Sequence, residues 1–376
     1  MKNWLEEIIG GGKQYADGTH DFVLRWNTAW EEGRMQREHL EKLMKARDRV
    51  EAIKVSIEPS KLDMEDFGGE NLPAMKKYEF RPQTWDQFIG QSEAKAMAPI
   101  IVQMFKDTDK SHLLLTGLQG HGKTTYIKLL AKSMGAKLIE TIGHAVNTKE
   151  AIIDILKQIN KSEQPCVFFV DEIDTMPTEM IKYMNPIVES FECEGRRVKP
   201  FIFACATINL DTIAENNPDF LDRIDTKINF VHYTIDELKT IALQVKIQLY
   251  PTATITDEQY TLLAENCKLN PRRVIVLLKY LVVDGDIKHV LEINQIVKNG
   301  LTKTDVSILK FLASQKKPVG ANVIAMKHSM RQRQYETQYE GYLFQQGLLN
   351  RTPQRVITAA GRKFLTAIRR EGGAKK

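Results

Sequence analysis

Two rhythms of apolar residues divide this chain. From about Phe88 to Ile208, short continuous apolar runs alternate with stretches in which apolar positions recur every three to four residues. The runs at Leu113–Leu115, Lys137–Ile139, Val167–Val170 and Phe201–Ala206 are too short for helices and predict strands buried on both faces of a parallel sheet. Helical periodicity at Tyr126–Ser133, Lys149–Asn160 and Thr178–Phe191 places helices between them, on both sides of the sheet. From about Ile235 to Gly300 the pattern is helical throughout. Beyond it, Val306, Ile308, Leu309 and Leu312 mark one helix, Ala321–Met326 a second and Gln338–Gln346 a third, ended by Gly347, with a short hairpin expected over Leu348–Thr358.

A length of 376 residues exceeds one ordinary core and calls for two or three domains. The pattern divides the chain into an N-terminal extension (1–77), an α/β domain (78–234), an all-helical domain (235–299) and a small C-terminal domain with a basic tail (300–376). The extension carries a Gly10-Gly11-Gly12 break, a charged helical stretch from about Thr28 to Ile57, and a linker marked by Pro59, Gly68-Gly69 and Pro73. Trp4, Trp26 and Trp30 crowd its first thirty residues and suggest a small satellite core or a docking segment. No apolar run approaches the length of a membrane span, and Met1–Glu7 lacks a secretory pattern, so the chain is expected in the cytoplasm where it is made. Cys166, Cys193, Cys205 and Cys267 have no metal-ligand spacing and read as small core or near-surface residues. Charge is concentrated at one end: residues 301–376 hold fifteen Lys/Arg against four Asp/Glu, while the rest is net negative. A folded segment that basic is the footprint of a polyanion binder.

The strongest chemistry lies in Gly117-Leu-Gln-Gly-His-Gly122-Lys123-Thr124, directly after the first strand and before a helix. Gly117, Gly120 and Gly122 would let backbone N–H groups turn onto phosphates, Lys123 would reach the β/γ oxygens, and Thr124 would offer its hydroxyl to Mg²⁺. Val167-Phe-Phe-Val170 ends in Asp171-Glu172. There Asp171 would hold Mg²⁺ and Glu172 would polarise the water attacking the γ-phosphate of ATP. The fourth strand ends in Thr207-Ile208-Asn209, where Thr207 and Asn209 are both eligible to sense that phosphate. Asn270-Pro271-Arg272-Arg273 opens an amphipathic helix from which an arginine could swing towards nucleotide. Arg351 and Arg355 flank Thr352-Pro353 at the expected wing, and with Arg331 and Arg333 they are candidates for DNA phosphates.

Together these residues resemble the RuvB family, hexameric AAA+ motors that drive Holliday-junction branch migration. The resemblance runs from about Phe80 to Leu365. Arg81-Pro82-Gln-Thr-Trp-Asp-Gln-Phe88-Ile89-Gly90-Gln91 is similar to the family's lead-in motif, which packs around adenine. His112 through Thr125 is similar to its Walker A, and Val170-Asp171-Glu172-Ile173 to its Walker B. Leu221-Asp222-Arg223 falls where the family has its arginine finger, and Asn270-Pro271-Arg272 on its sensor-2 motif. Tyr339-Glu-Gly-Tyr-Leu-Phe-Gln-Gln-Gly-Leu-Leu-Asn-Arg-Thr-Pro353 resembles its C-terminal winged-helix signature. The resemblance implies a P-loop AAA+ parallel-sheet domain, an all-helical lid and a winged helix. It also implies ATP and Mg²⁺ as cofactors, duplex or junction DNA as partner, and a homo-hexamer.

Four departures accompany it, one of them Leu118-Gln119 in place of the usual Pro-Pro of the Walker A, which should preserve the phosphate cradle because backbone N–H groups supply it. The N-terminal extension is longer than the family's lead-in. The Phe191–Lys199 stretch is shorter than the hairpin with which RuvB proteins dock RuvA, so RuvA partnership is in doubt. The segment after the sensor-1 strand is longer than usual. Two other readings remain: a replication initiator or helicase loader, which also joins an AAA+ module to a winged helix, and an adaptor whose ATP state displays residues 1–77 to a protein partner.

Overall fold

A computed structural model describes residues 80–351 and 354–373. The expected helix at Thr28–Ile57, the three tryptophans near the N-terminus and the wing-tip pair Thr352-Pro353 lie outside the described residues.

Helix α1 (Ser92–Thr108) precedes a five-stranded, all-parallel sheet with order β2-β3-β6-β1-β7. Its strands are β1 (Leu113–Thr116), β2 (Lys137–Ile142), β3 (Cys166–Asp171), β6 (Ile202–Thr207) and β7 (Thr226–Asn229), with α2 (Lys123–Ser133), α3 (Lys149–Lys161) and α4 (Thr178–Ser190) between them. Alternate side chains of one strand feed two different cores. Phe168 and Val170 join Phe203, Met184 and Ile187 on one face, while Val167 and Phe169 join Leu113, Leu115, Ile127 and Phe105 on the other. This double burial explains why β1, β3 and β6 are unbroken apolar runs rather than alternating ones. Truncating Phe168, wholly buried, would cost roughly 3–5 kcal/mol.

Four strands coincide with the expected runs. The fifth, β7, was not expected: Thr-Lys-Ile-Asn at the sheet edge alternates buried and exposed residues and supplies one large apolar side chain, Ile228. Helix α2 begins at Lys123, three residues before the periodic pattern, because the loop's last glycine, Gly122 at φ 101°, turns the chain straight into it. After α4, Phe191 in the left-handed region ends the helix and leads into a hairpin, β4 (Glu192–Cys193) and β5 (Arg196–Arg197). Its two-residue turn, Glu194-Gly195, has φ of 50° and 74°, the type I′ geometry of the shortest β connection. The extra length after β6 folds into two short helices, α5 (Leu210–Asn216) and α6 (Pro218–Leu221).

The helical segment comprises α7 (Ile235–Leu249), α8 (Asp257–Glu265), α9 (Pro271–Asp284) and α10 (Ile287–Ile293) around Leu238, Val245, Leu263, Leu277 and Leu278. Capping boxes at Thr234/Glu237 and Thr256/Gln259 start α7 and α8, and Gly285 at φ 83° stops α9. The expectation of helix to Gly300 fails at its end, where β8 (Ile296–Lys298) pairs with β9 (Leu301–Thr302).

The last segment contains α11 (Lys303–Ser314), α12 (Ala321–Lys327) and α13 (Gln332–Tyr335), the last followed by a π-helical turn (Glu336–Glu340) and α14 (Gly341–Gln345). The wing is β10 (Leu349–Asn350) with β11 (Val356–Ile357), and Val319 bridges Arg355 as a third antiparallel partner. The expected third helix thus starts at Gln332, six residues early. Of the expected basic tail, Arg369-Arg370 belongs to α15 (Ala359–Gly373), whose Phe364 and Leu365 pack on the core of Ile308, Leu309, Ile324, Tyr335 and Leu343, and Lys375-Lys376 lies outside the described residues.

Candidate nucleotide site and winged-helix surface

The loop between β1 and α2 is closed in by three elements. A Cβ at Gly120 (φ 83°) would lie 2.7 Å from Asn270 Oδ1 at the start of α9, and one at Gly122 (φ 101°) would lie 2.8 Å from the Phe88 ring. Neither position admits a side chain, on backbone conformation or on space. Gly117, at φ 130°, backs onto Phe230 beyond β7. The result is a backbone cradle of the kind phosphates occupy.

Lys123 Nζ donates to the loop carbonyls of Gly117 (2.7 Å) and Leu118 (3.0 Å), so its charge faces the cradle. Burial lowers its pKa, while Asp171 and Glu172 oppose that shift. Thr124 Oγ1 donates to Asp171 Oδ2 at 2.9 Å, bringing together two hard oxygen donors from α2 and β3. That donor set suits Mg²⁺. Glu172, exposed and left-handed at φ 50°, donates its N–H to Asp171 Oδ1 at 3.0 Å.

Thr207 and Asn209 converge on a residue that sequence reading did not single out. Thr207 Oγ1 donates to Asp174 Oδ1 at 2.7 Å, Asn209 Nδ2 donates to Asp174 Oδ2 at 3.3 Å, and the Asn209 N–H donates to Thr207 Oγ1. The available signal was the third acid in Asp171-Glu172-Ile173-Asp174. Arg333, considered for DNA, places its guanidinium 4.0 Å from the same carboxylate.

Two histidines without an assigned role in the sequence, and the already noted Asn270, also bear on the loop. His121, inside the loop and buried, points Nδ1 at Gln119 O (3.3 Å) and Nε2 at His232 Nδ1 (3.2 Å). A carbonyl only accepts, so His121 carries its proton on Nδ1 and accepts from His232 at Nε2. Burial, with smaller contributions from the nearby His232 and Lys123, pushes the His121 pKa down to about 4. Tyr233 donates its hydroxyl to His121 O at 3.1 Å. Asn270 caps α9 by accepting the Arg272 N–H (2.9 Å) and donates Nδ2 to Gln119 O (2.9 Å). Arg272 is thereby held beside the loop, near enough for its charge to lower the Lys123 pKa.

The remaining candidates sort by place. Phe88 is buried under the loop, Ile89 packs on the helical core, Arg81 is exposed, and Pro82 and Thr125 are half-buried. Arg223 is not at the cradle of its own chain. It precedes β7, whose first residue, Thr226, pairs with Leu113 at the beginning of β1, whereas the cradle leaves the other end of β1. Its guanidinium is held by Glu189 (2.9 Å) and the Asp219 carbonyl.

On the winged helix, Arg331, Arg333 and Arg351 are exposed, and Arg351 stacks on the Phe344 ring at 4.5 Å. Arg355 departs from expectation. It grips Glu340 with two hydrogen bonds (2.6 and 3.1 Å) and lies 3.5 Å from Glu336, so two carboxylates already neutralise it. These ion pairs tie the wing to the helical turn that precedes it.

Among the described residues no helix is long and apolar enough to cross a membrane. Residues 80–195 match the family model described as the Holliday junction DNA helicase RuvB P-loop domain, and residues 298–366 match the RuvB C-terminal winged helix domain. The Holliday junction branch migration complex subunit RuvB of Ureaplasma urealyticum is 30% identical over 307 residues, covering 76% of this chain and 96% of the relative. Its Rickettsia africae counterpart is 29% identical over 313 residues, covering 76% and 89%. The solved Thermotoga maritima RuvB Holliday junction branch migration motor superposes with a TM-score of 0.66 at 26% identity, covering 76% of this chain and 98% of that one. With its P-loop, paired acids and winged helix in one chain, and relatives matched over nearly their whole length, this protein is a P-loop ATPase that belongs to the RuvB family.

Proposed function

We infer that this ATPase is a cytoplasmic, ATP-driven DNA motor that assembles as a homo-hexameric ring and moves duplex DNA to drive branch migration of Holliday junctions. One observation carries the ring: Lys123, Thr124, Asp171, Glu172 and Thr207 gather at the carboxyl end of the sheet, while Arg223 sits at the amino end. A subunit alone lacks that cation at its phosphates, and a neighbour presenting its amino end supplies it. The loop amides and Lys123 hold the β/γ-phosphates, Phe88 and the lead-in segment border the base, and Arg272 covers the nucleotide from the lid. Thr124 and Asp171 would hold Mg²⁺, which supplies neutralising charge at the phosphate oxygens when bound. Glu172 orients and deprotonates the attacking water, and Thr207 with Asn209, fixed by Asp174, registers the γ-phosphate.

DNA contact falls to the exposed Arg331, Arg333 and Arg351. They form no base-reading set, which suits a motor that moves along any sequence. The hairpin at Glu192–Arg197 is of minimal length and polar, which favours a motor that does not dock RuvA through this element. The test is ATP-dependent migration of a synthetic four-way junction, with and without added RuvA, with Glu172→Gln as the blank. The wild type is expected to move the junction in both conditions. The variant should keep nucleotide binding and lose at least about 100-fold in turnover. ATP hydrolysis with no junction movement in either condition would overturn the motor reading in favour of a loader.

A further inference from the structure

The lid and the winged helix meet at a seam that the hydrolysis chemistry does not use. Lys268, between α8 and α9, donates to both oxygens of Asp305 at 2.9 and 2.7 Å, and Asp305 is wholly buried. The ammonium also lies 5.5 and 5.4 Å from the ring centroids of Tyr339 and Tyr342. Asp305 in turn accepts the Thr302 N–H and hydroxyl, both at 2.7 Å, and so fixes the start of α11. Burial lowers the Lys268 pKa although Asp305 opposes the shift, a sign that desolvation is incompletely offset.

The backbone here is constrained as well. Lys268 and Leu269 are consecutive left-handed residues, φ 55° and 53°. A Cβ on Gly300 would come within 2.8 Å of the Lys268 nitrogen. The Gly300 N–H donates to Asn266 Oδ1 (3.1 Å), and the Tyr342 hydroxyl donates to Asn299 O (2.9 Å). Backbone held in sparsely populated conformations persists where its surroundings over-determine it. One residue further on stands Asn270, which holds the phosphate loop through Gln119 O and starts the helix that carries Arg272. Three consecutive residues, Lys268 to Asn270, therefore touch the winged helix at one end and the nucleotide cradle at the other.

We propose that Lys268 is a positioning residue whose ion pair with Asp305 couples the nucleotide cradle to the winged helix, so that occupancy of either changes affinity at the other. The inference rests on the reading above of Arg272 as nucleotide contact and of the winged helix as duplex contact. Linkage requires the two effects to be equal. The test uses the full chain and the double variant Lys268→Met/Asp305→Asn, which leaves no unpaired buried charge and keeps an acceptor for Thr302.

Duplex Kd is measured with and without adenylyl imidodiphosphate, and the analogue's Kd with and without duplex. In the parent each pair of constants should differ by about fivefold or more. In the double variant both ratios should fall to roughly one, while the Kd for analogue alone and for duplex alone stay near the parent values. Unchanged ratios overturn the coupling role, and so does loss of either separate affinity, which would make the pair a structural strut. If the double variant does not fold, Asp305→Asn alone breaks the ion pair while keeping an acceptor for Thr302, and should reduce both ratios; unchanged ratios there overturn the proposal. A parent that binds no duplex sinks the motor reading itself, an outcome distinct from a parent that binds both ligands without coupling.

Discussion

His112 shows how much a single residue can carry beyond the motif it opens. Its Nδ1 accepts the Phe203 N–H at 3.1 Å and its Nε2 donates to Val188 O at 2.7 Å, so it is held neutral between β6 and α4. Burial takes its pKa from 6.5 to about 4, and His121 moves the same way for the same first reason. Both folded-state values lie below the unfolded ones, so between pH 6.5 and about 4 the unfolded chain binds more protons. The stabilisation is complete above pH 6.5 and is lost as pH falls towards 4. Urea unfolding across that window should lose up to about 1.4 kcal/mol per pH unit for each histidine. His112→Gln should reduce the slope by one proton, and an unchanged slope would exclude His112 as a contributor. In the sequence His112 is only the polar residue that opens the Walker A stretch. Its partners lie 91 and 76 positions away, out of reach of any local pattern.

At the scale of elements, the wing separates two arginines that look alike in the sequence. Arg351 is exposed on Phe344, while Arg355 is tied to Glu340, itself almost fully buried. Arg351→Ala should leave stability within about 0.5 kcal/mol and lower the salt dependence of duplex binding by roughly one phosphate contact. Arg355→Ala should instead cost about 3 kcal/mol of stability by stranding a buried carboxylate. Thermal melts and a salt titration of duplex affinity separate the two, and a reversed pattern would exchange their roles. Element by element, strands buried on both faces were legible because continuous apolar runs of that length have few other uses. The edge strand β7 was not, because one covered face needs only Ile228 in the middle of a polar run. Helix α15 was hidden for a related reason: its basic, exposed face outweighs Phe364 and Leu365 in any reading by composition.

For the whole molecule, the parallel register places the glycine-rich loop at one end of the sheet and Arg223 at the other. Hydrolysis should therefore depend on assembly. Arg223→Ala is expected to keep nucleotide binding and lose turnover by roughly 10³–10⁵-fold in the assembled ring. Wild-type specific activity should climb with protein concentration through the range in which sedimentation shows rings forming. Full turnover by the variant ring would remove Arg223 from the neighbour's site.

Reading the chain alone identified the P-loop, the acid pair after β3, the helical segment and the winged helix. Each is short-range: a glycine-rich turn between strand and helix, or an apolar run ending in acids, carries its geometry in adjacent residues. Asp174 beneath Thr207 and Asn209, His121 against His232, Asn270 on the phosphate loop and Lys268 on Asp305 emerged from the fold. Those pairs are 33 to 151 residues apart. Packing of the sheet, lid and winged helix brings them together, and no spacing along the chain encodes that packing.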